Sequence, residues 1–439
     1  MAKFIQYPQE FSNSNWTSVA YNSTGNVYVA VGNAGAYRVA RSADNGVTWT
    51  YPLGASDAAQ TQTWTAVTWN PGFSMFVAVA SGSGTGRIMT SPDGVTWTVR
   101  TYGSGPQAVS FNAAASSSTR TVIVGGGGVA ADQTITTTDG VTYTSVASSG
   151  LRNWTGVSWN ATATSTWFAV ANDGGTANGA VMTNTESGLS TPSAWTAQVA
   201  STPPGTNPWI SVAAQQVATG TIVAVASGGP QSSRIMRSTD NGANWNSVDP
   251  GVDVNFSYVF ATNNGFYALA NTGTQTQRIL TSPTGATWTV GAALPTTSNR
   301  WAGGIGNNYS NPTVIVFVSN SGGSSRILRM TNSTLTLSAP IEINDSYTRT
   351  RVGLPVYINA EYIALAFGDG ETTVKVSGGT VNATQNDVAL IIGADRSGVS
   401  HEVIIQDIIN ANSAKYPLSP FGYIASPLPE GRTVTVTRS

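Results

Sequence analysis

Few residues in this chain could do chemistry. His401 is the only histidine and there is no cysteine. Thiol nucleophiles, zinc-thiolate centres and disulfide frameworks are therefore excluded. A lone histidine in Ser400-His401-Glu402-Val403-Ile404-Ile405 reads as a strand residue, not as the base of a triad. No metal or cofactor is expected. A glycosidase would need two carboxylates ~5–10 Å apart across a cleft. Outside the repeated turns described below, residues up to 330 offer Glu10, Asp57, Asp132, Asp173, Glu186, Asp249 and Asp253. Asp57, Asp173 and Asp253 fall in connecting loops expected to share one face, where aspartates ordinarily cap turns. No catalytic residue is assigned.

Arginine is more regular. Arg38, Arg87, Arg234, Arg278 and Arg326 recur at one position of a repeated frame, with Gln133 and Ala180 standing in the same slot. A position filled alike in five units reads as scaffold, pairing with a neighbouring unit. Side chains suited to a glycan, stacking on sugar faces or bonding hydroxyls, are Tyr102, Arg152, Asp173, Asp253 and Arg300 in the loops. The run Gly125-Gly126-Gly127-Gly128 has no following helix and no lysine, so it reads as a connection and not as a phosphate cradle.

The elements that must position these residues come from internal repetition. Asn15-Trp16-Thr17-Ser18-Val19 returns as Thr63-Trp64-Thr65-Ala66-Val67 and Asn153-Trp154-Thr155-Gly156-Val157, and more weakly around Trp209, Phe256 and Trp301. Pro106-Gln107-Ala108-Val109 is taken as the missing copy, which gives seven units spaced 42 to 55 residues apart. Each unit continues with a β-branched or aromatic run such as Val27–Val31 or Ile222–Val225, then a third strand, a tight turn and a fourth. Four short strands per unit specify an all-β, seven-bladed β-propeller over residues 1–334. Either Leu335-Thr336-Leu337 or the N-terminal Lys3-Phe4-Ile5-Gln6 can supply the last outer strand.

The turn before the fourth strand carries the sharpest motif. It holds Asp44, Gly46 and Trp49; Asp93, Gly94 and Trp97; Asp139 and Gly140 with Tyr143; and Asp240, Gly242 and Trp245. Asp accepts backbone N–H groups in the turn, Gly permits positive φ, and the aromatic packs beneath the hairpin. These residues resemble the Asp-box (BNR-type) repeat of sialidase-like propellers over about residues 10–332. The resemblance implies the propeller fold and peripheral boxes that do not touch substrate. A sialidase would also bring an arginine triad and a Tyr/Glu nucleophile pair. The Phe-Arg-Ile-Pro phrase of that family is missing here, with Gly86-Arg87-Ile88-Met89 its nearest echo.

Composition changes near residue 332. All thirteen Trp lie at or before Trp301, and residues 331–439 carry 17 of the 41 charges. Residues 335–439 are expected to form a small β-sandwich or barrel that docks or oligomerises, with Val403–Asn412 as a possible short helix.

The whole chain is 9% charged, against ~25% for ordinary soluble domains, and its net charge is −1. It lacks the basic field that nucleic-acid binding needs. No apolar run reaches the ~20 residues of a membrane span, and the segment Met1–Pro8 does not read as a signal peptide. Only three of the 20 basic residues are lysine, and Ser, Thr, Asn and Gly dominate. Together with the Asp-box resemblance, this composition looks like a virion component made in the host cytoplasm, a bacteriophage tail or capsid appendage. The expectation is a non-enzymatic structural protein, partnered by other virion proteins, by copies of itself and by host-surface glycan. The alternatives are a carbohydrate-active or glycan-binding propeller, or an assembly factor like some Asp-box propellers of photosynthetic membranes.

Overall fold

Short apolar runs bounded by turn residues become strands here, and they pair in sequence order. In the computed structural model, seven antiparallel meanders form seven blades. It describes the strand at 3–6, the blades between 14 and 331 apart from several loops, and seven short strands after residue 350. The inner strands are Asn15–Asn22, Thr63–Asn70, Val109–Ser116, Trp154–Asn160, Trp209–Ala214, Phe256–Thr262 and Trp301–Gly306. Second strands such as Val27–Ala34 and Met75–Ser81 are buried over most or all of their length, because both faces pack against neighbouring blades.

Blade three departs from the sequence expectation. Its aromatic anchor is Phe111, which pairs with Gly125 just before the register shift, as Trp64 pairs with Ala80 in blade two. Pro106 and Gln107 lie outside the described residues. The glycine run also differs: Gly125–Gly127 end the strand Thr121–Gly127 and are not a connection. A methyl group on Gly125 would lie 2.2 Å from the Ser110 carbonyl oxygen, so the close approach of strands excludes any larger residue.

Every inner strand carries a β-bulge immediately after its aromatic anchor. Farther along, cross-strand aromatic pairs fix the register of four blades. Tyr21 faces Tyr28, Trp69 faces Phe76, Trp159 faces Trp167 and Phe260 faces Tyr267, with ring centroids 4.5, 4.7, 4.9 and 4.8 Å apart.

The repeated turns are built as the sequence requires. In blade two, Asp93 Oδ1 accepts from the backbone N–H groups of Val95 and Thr96 at 2.8 and 2.9 Å, and Ser91 Oγ accepts from Gly94 N at 2.8 Å. Trp97 closes the turn, its indole N–H donating to the Gly94 carbonyl at 3.2 Å. Blades three and five repeat this around Asp139 and Asp240. Partial burial raises the cost of charging Asp93, Asp139 and Asp240. The backbone N–H donors outweigh it and hold all three carboxyls below the ordinary carboxylate range. In blade four the swollen turn is the short helix Glu186–Ser190. Its Glu186 pairs at 2.8 Å with the buried Arg120 of blade three.

The ring closes with the N-terminus. Lys3–Gln6 pairs antiparallel with Ile327–Thr331 as the outer strand of blade seven, Lys3 opposite Thr331 and Gln6 opposite Leu328. Residues Leu335–Leu337 lie outside the described residues. In blade one the fourth strand shrinks to a single bridge between Arg41 and Thr50.

The chain divides into two compact units, Met1–Ala339 and Pro340–Ser439. In the second, Val356–Ile358 pairs with Glu361–Ile363, and Thr373–Val376, Gly379–Ala383 and Val434–Thr437 form a three-stranded sheet. His401, Val388–Ile392 and Val403–Asn412 lie outside the described residues.

Candidate functional site

In an antiparallel meander running outward from the axis, the loops joining second to third strands lie on one face. The loops joining one blade to the next lie there too. Tyr102, Arg152, Asp253 and Arg300, four of the five loop residues singled out from the sequence, belong to this face, and its geometry begins at the central wall.

The seven inner strands carry no Asp, Glu, His, Lys or Arg. One polar position on them binds the neighbouring blade in turn after turn of the ring. The bulge residue after the aromatic anchor donates to the carbonyl of the next blade's anchor. Thr17 reaches Trp64 O at 2.8 Å, Thr65 reaches Phe111 O at 2.9 Å, Asn112 reaches Trp154 O at 2.8 Å and Thr155 reaches Trp209 O at 2.7 Å. Ser257 makes the same bond to Trp301 O. Ile210 and Ala302 occupy this position in blades five and seven and have no side-chain donor.

The recurring arginine slot opens the third strand, farther from the axis, and it too serves the seams. Arg326 donates to Ser14 O at 3.1 Å, Arg234 to Val254 O at 2.8 Å, and Arg38 to Gln62 O at 2.5 Å. Gln133 does the same with its amide, reaching Arg152 O at 2.6 Å. Each acceptor lies two residues before the next blade's anchor. Arg87 is fully buried, with its guanidinium over the rings of Phe111 and Tyr102 at 4.9 and 5.6 Å. Burial pulls the guanidiniums of Arg38, Arg87, Arg278 and Arg326 below their ordinary value, for Arg87 against the opposing pull of Tyr102. A second arginine set was not legible in the sequence. Arg41, Arg237 and Arg329 donate from Nε to Asp93 O, Thr284 O and Asn45 O in the turn of the following blade, at 2.8, 2.8 and 2.9 Å.

The structure ties Tyr102, Arg152 and Asp253 to their own seams. The Tyr102 hydroxyl accepts from Arg87 and its ring tilts against Phe111, centroids 5.1 Å apart. Both backbone polar groups of Arg152 are taken by Gln133. Asp253 forms a 2.6 Å ion pair with Arg234 and stays 73% exposed. Arg300 is exposed, and its charge lowers the pKa of Arg278 further after burial. Asp173 lies outside the described residues.

Blades three and four make a sector of different character. Their slots hold Gln133 and Ala180 instead of Arg. Val129 and Leu151 are the two most exposed large apolar side chains among the described residues, at 58% and 64%. On the same loop face runs a row of carboxamides. Asn112 Nδ2 donates to Asn153 Oδ1 at 2.8 Å, and Asn153 Nδ2 donates to Asn172 Oδ1 at 2.6 Å. Gly126 lies under this row, where a methyl group would fall 2.1 Å from Asn153 Oδ1. One sequence signal pointed here: Asn112 stands where the other clamping blades have Thr or Ser, a signal hidden by placing the blade-three anchor five residues early. Among the described residues no group of three or more His, Asp or Glu could hold a metal ion. No helix among them is long and apolar enough to cross a membrane.

Solved structures share this architecture. The chain is similar to YCF48 bound to D1 peptide, with 14% identity, a TM-score of 0.54, and coverage of 76% of this chain and 95% of that one. YCF48 from Cyanidioschyzon merolae matches at 14% identity and a TM-score of 0.52 over 75% and 98% of the two chains. An ancestral GH74 enzyme matches at 13% identity and a TM-score of 0.56 over 86% of this chain, which spans about half (52%) of that enzyme. At these identities the likeness is one of fold. No family description and no curated protein matches the sequence.

Proposed function

We propose that this chain is a non-enzymatic virion protein, a bacteriophage tail or capsid-appendage component that displays a rigid propeller for host attachment or assembly. The observation that carries the reading is the central wall. Seven inner strands without a charged side chain give the axis no carboxylate, imidazole or amine, and hydroxyls such as those of Thr17 and Thr65 join blade to blade. Such a ring resists deformation and binds through its surface. The bonds around Asp44, Asp93, Asp139 and Asp240 support kinship with Asp-box repeats, whose boxes are folding elements. Scarce lysine and a surface of Ser, Thr, Asn and Gly support the virion assignment. Other virion proteins and further copies of this chain are its proposed partners, with the charge-richer second unit as the docking part.

Proteomics of purified particles, with immunogold labelling, tests the assignment. The protein should co-purify with particles in fixed stoichiometry, and its absence from them overturns the reading.

A second reading, a carbohydrate-active or glycan-binding propeller, is favoured by the likeness to an ancestral GH74 enzyme. Release of fluorophore from a panel of aryl glycosides, a sialoside among them, would replace the non-enzymatic reading with it.

A further inference from the structure

We propose that the loop face of blades three and four holds a neutral saccharide, gripped by the carboxamides of Asn112 and Asn172. The inference rests on the glycan-binding reading and narrows it to one site and one ligand class.

The carboxamide row is polarised. Asn112 spends its amide nitrogen on Asn153 Oδ1 and on Trp154 O, both at 2.8 Å, which turns its Oδ1 away from both bonds. Asn153 spends its nitrogen on Asn172 Oδ1 at 2.6 Å, which leaves Nδ2 of Asn172 at the far end. Among the described residues, neither Asn112 Oδ1 nor Asn172 Nδ2 has a hydrogen-bond partner, and both side chains are partly exposed. One end therefore offers an acceptor and the other a donor, with orientations fixed by the bonds between them. Hydroxyls on opposite edges of a pyranose, each donor and acceptor, suit a pair separated by an intervening carboxamide.

The platform is rigid because Asn112 also clamps blade three to blade four, and Asn153 leads directly into the buried Trp154. Gly126 leaves the space the row occupies. Leu151 and Val129, exposed on the same face, offer apolar surface to the C–H side of a pyranose. Charge argues for a neutral ligand. Five other blades present Arg in the slot where this sector has Gln133 and Ala180. The cation that an anionic sugar would need here is Arg152, so a sialoside forms the opposing arm of the test.

Saturation-transfer NMR on the full chain, with methyl glycosides of glucose, galactose, mannose, N-acetylglucosamine and sialic acid, tests the site. At least one neutral glycoside should bind. Asn172→Ala should weaken it about tenfold, the worth of one lost hydrogen bond, with an unchanged melting temperature. Asn112→Ala should weaken it at least as much, although it also removes the bond to Trp154, so Asn172→Ala decides. Neutral binding undiminished by both variants overturns the site and leaves the glycan reading standing. Preference for the sialoside, abolished by Arg152→Ala, overturns the ligand class. Silence from every glycoside overturns both the site and the glycan reading.

Discussion

Arg326 of the last blade donates from Nη1 to the Ser14 carbonyl of the first at 3.1 Å, so one side chain joins residues at opposite ends of the ring. It also reaches the Asn15 side chain, and three residues later Arg329 donates to Asn45 O in the first blade's turn. The same pair of bonds recurs at internal seams, where Arg234 and Arg237 bind blade six. The closing seam is thus chemically an ordinary seam, reinforced by the N-terminal strand on its outer edge.

Arg326→Ala should cost about 1.5–3 kcal/mol, the range for hydrogen bonds from a charged donor. Arg326→Lys should recover only part, because an ammonium lacks the planar fork. Denaturant unfolding measures both. An unaltered midpoint in Arg326→Ala would remove this bond from the account of closure.

The hydroxyl clamps make a prediction in both directions. Thr65→Val keeps the shape, deletes the donor to Phe111 O, and should cost about 1 kcal/mol. Ala302→Thr adds the missing hydroxyl to the seam between blades seven and one, and should gain about 0.5–1 kcal/mol. Melting temperatures of the two variants, moving in opposite directions, check the clamp as a repeated device.

Much of this was legible in the sequence because each blade repeats the same local problem. The Ser/Thr-x-Asp turns and apolar second strands carry their own signals, as at Ser91-Pro92-Asp93-Gly94. The reading of the Arg38 and Arg87 slot as scaffold followed from repetition alone. The cross-blade partners were not legible, since Arg41 meets Asp93 across 52 residues with no pattern that names the acceptor. Phe111 was missed because the copy of the Trp phrase has no Trp and follows a loop of different length. Gly125–Gly127 misled for a related reason: glycine marks a loop by default, but here it marks close approach of strands. The tie between Tyr102 and the buried Arg87 lies beyond any one-dimensional signal, because it forms only when blades two and three stack.

Acid should loosen the turns. Asp93, Asp139 and Asp240 have folded-state pKa values lowered by backbone donors. The stability they contribute is full above the unfolded value of ~3.9 and is lost as pH falls through the folded values. The triple variant Asp93→Asn, Asp139→Asn, Asp240→Asn should be less stable at neutral pH. Its stability should also depend less steeply on pH between about 2 and 4. Chemical denaturation across that window gives both slopes, and parallel slopes would contradict the assigned protonation.

Glycine in the repeated turn should prove indispensable for two separable reasons. Gly94 has φ +75°, and a methyl group there would lie 2.6 Å from Val29 Cγ2 of the preceding blade. Gly82 has φ +97° with no atom within 4 Å of the equivalent position. Gly82→Ala therefore carries only the backbone penalty, about 1 kcal/mol. Gly94→Ala carries that penalty together with the overpacking of a seam, a further ~1–3 kcal/mol. Trimming the neighbour in Gly94→Ala/Val29→Ala should recover part of the second cost and none of the first. Equal losses in Gly82→Ala and Gly94→Ala would show that turn geometry alone, without contact between blades, selects this glycine.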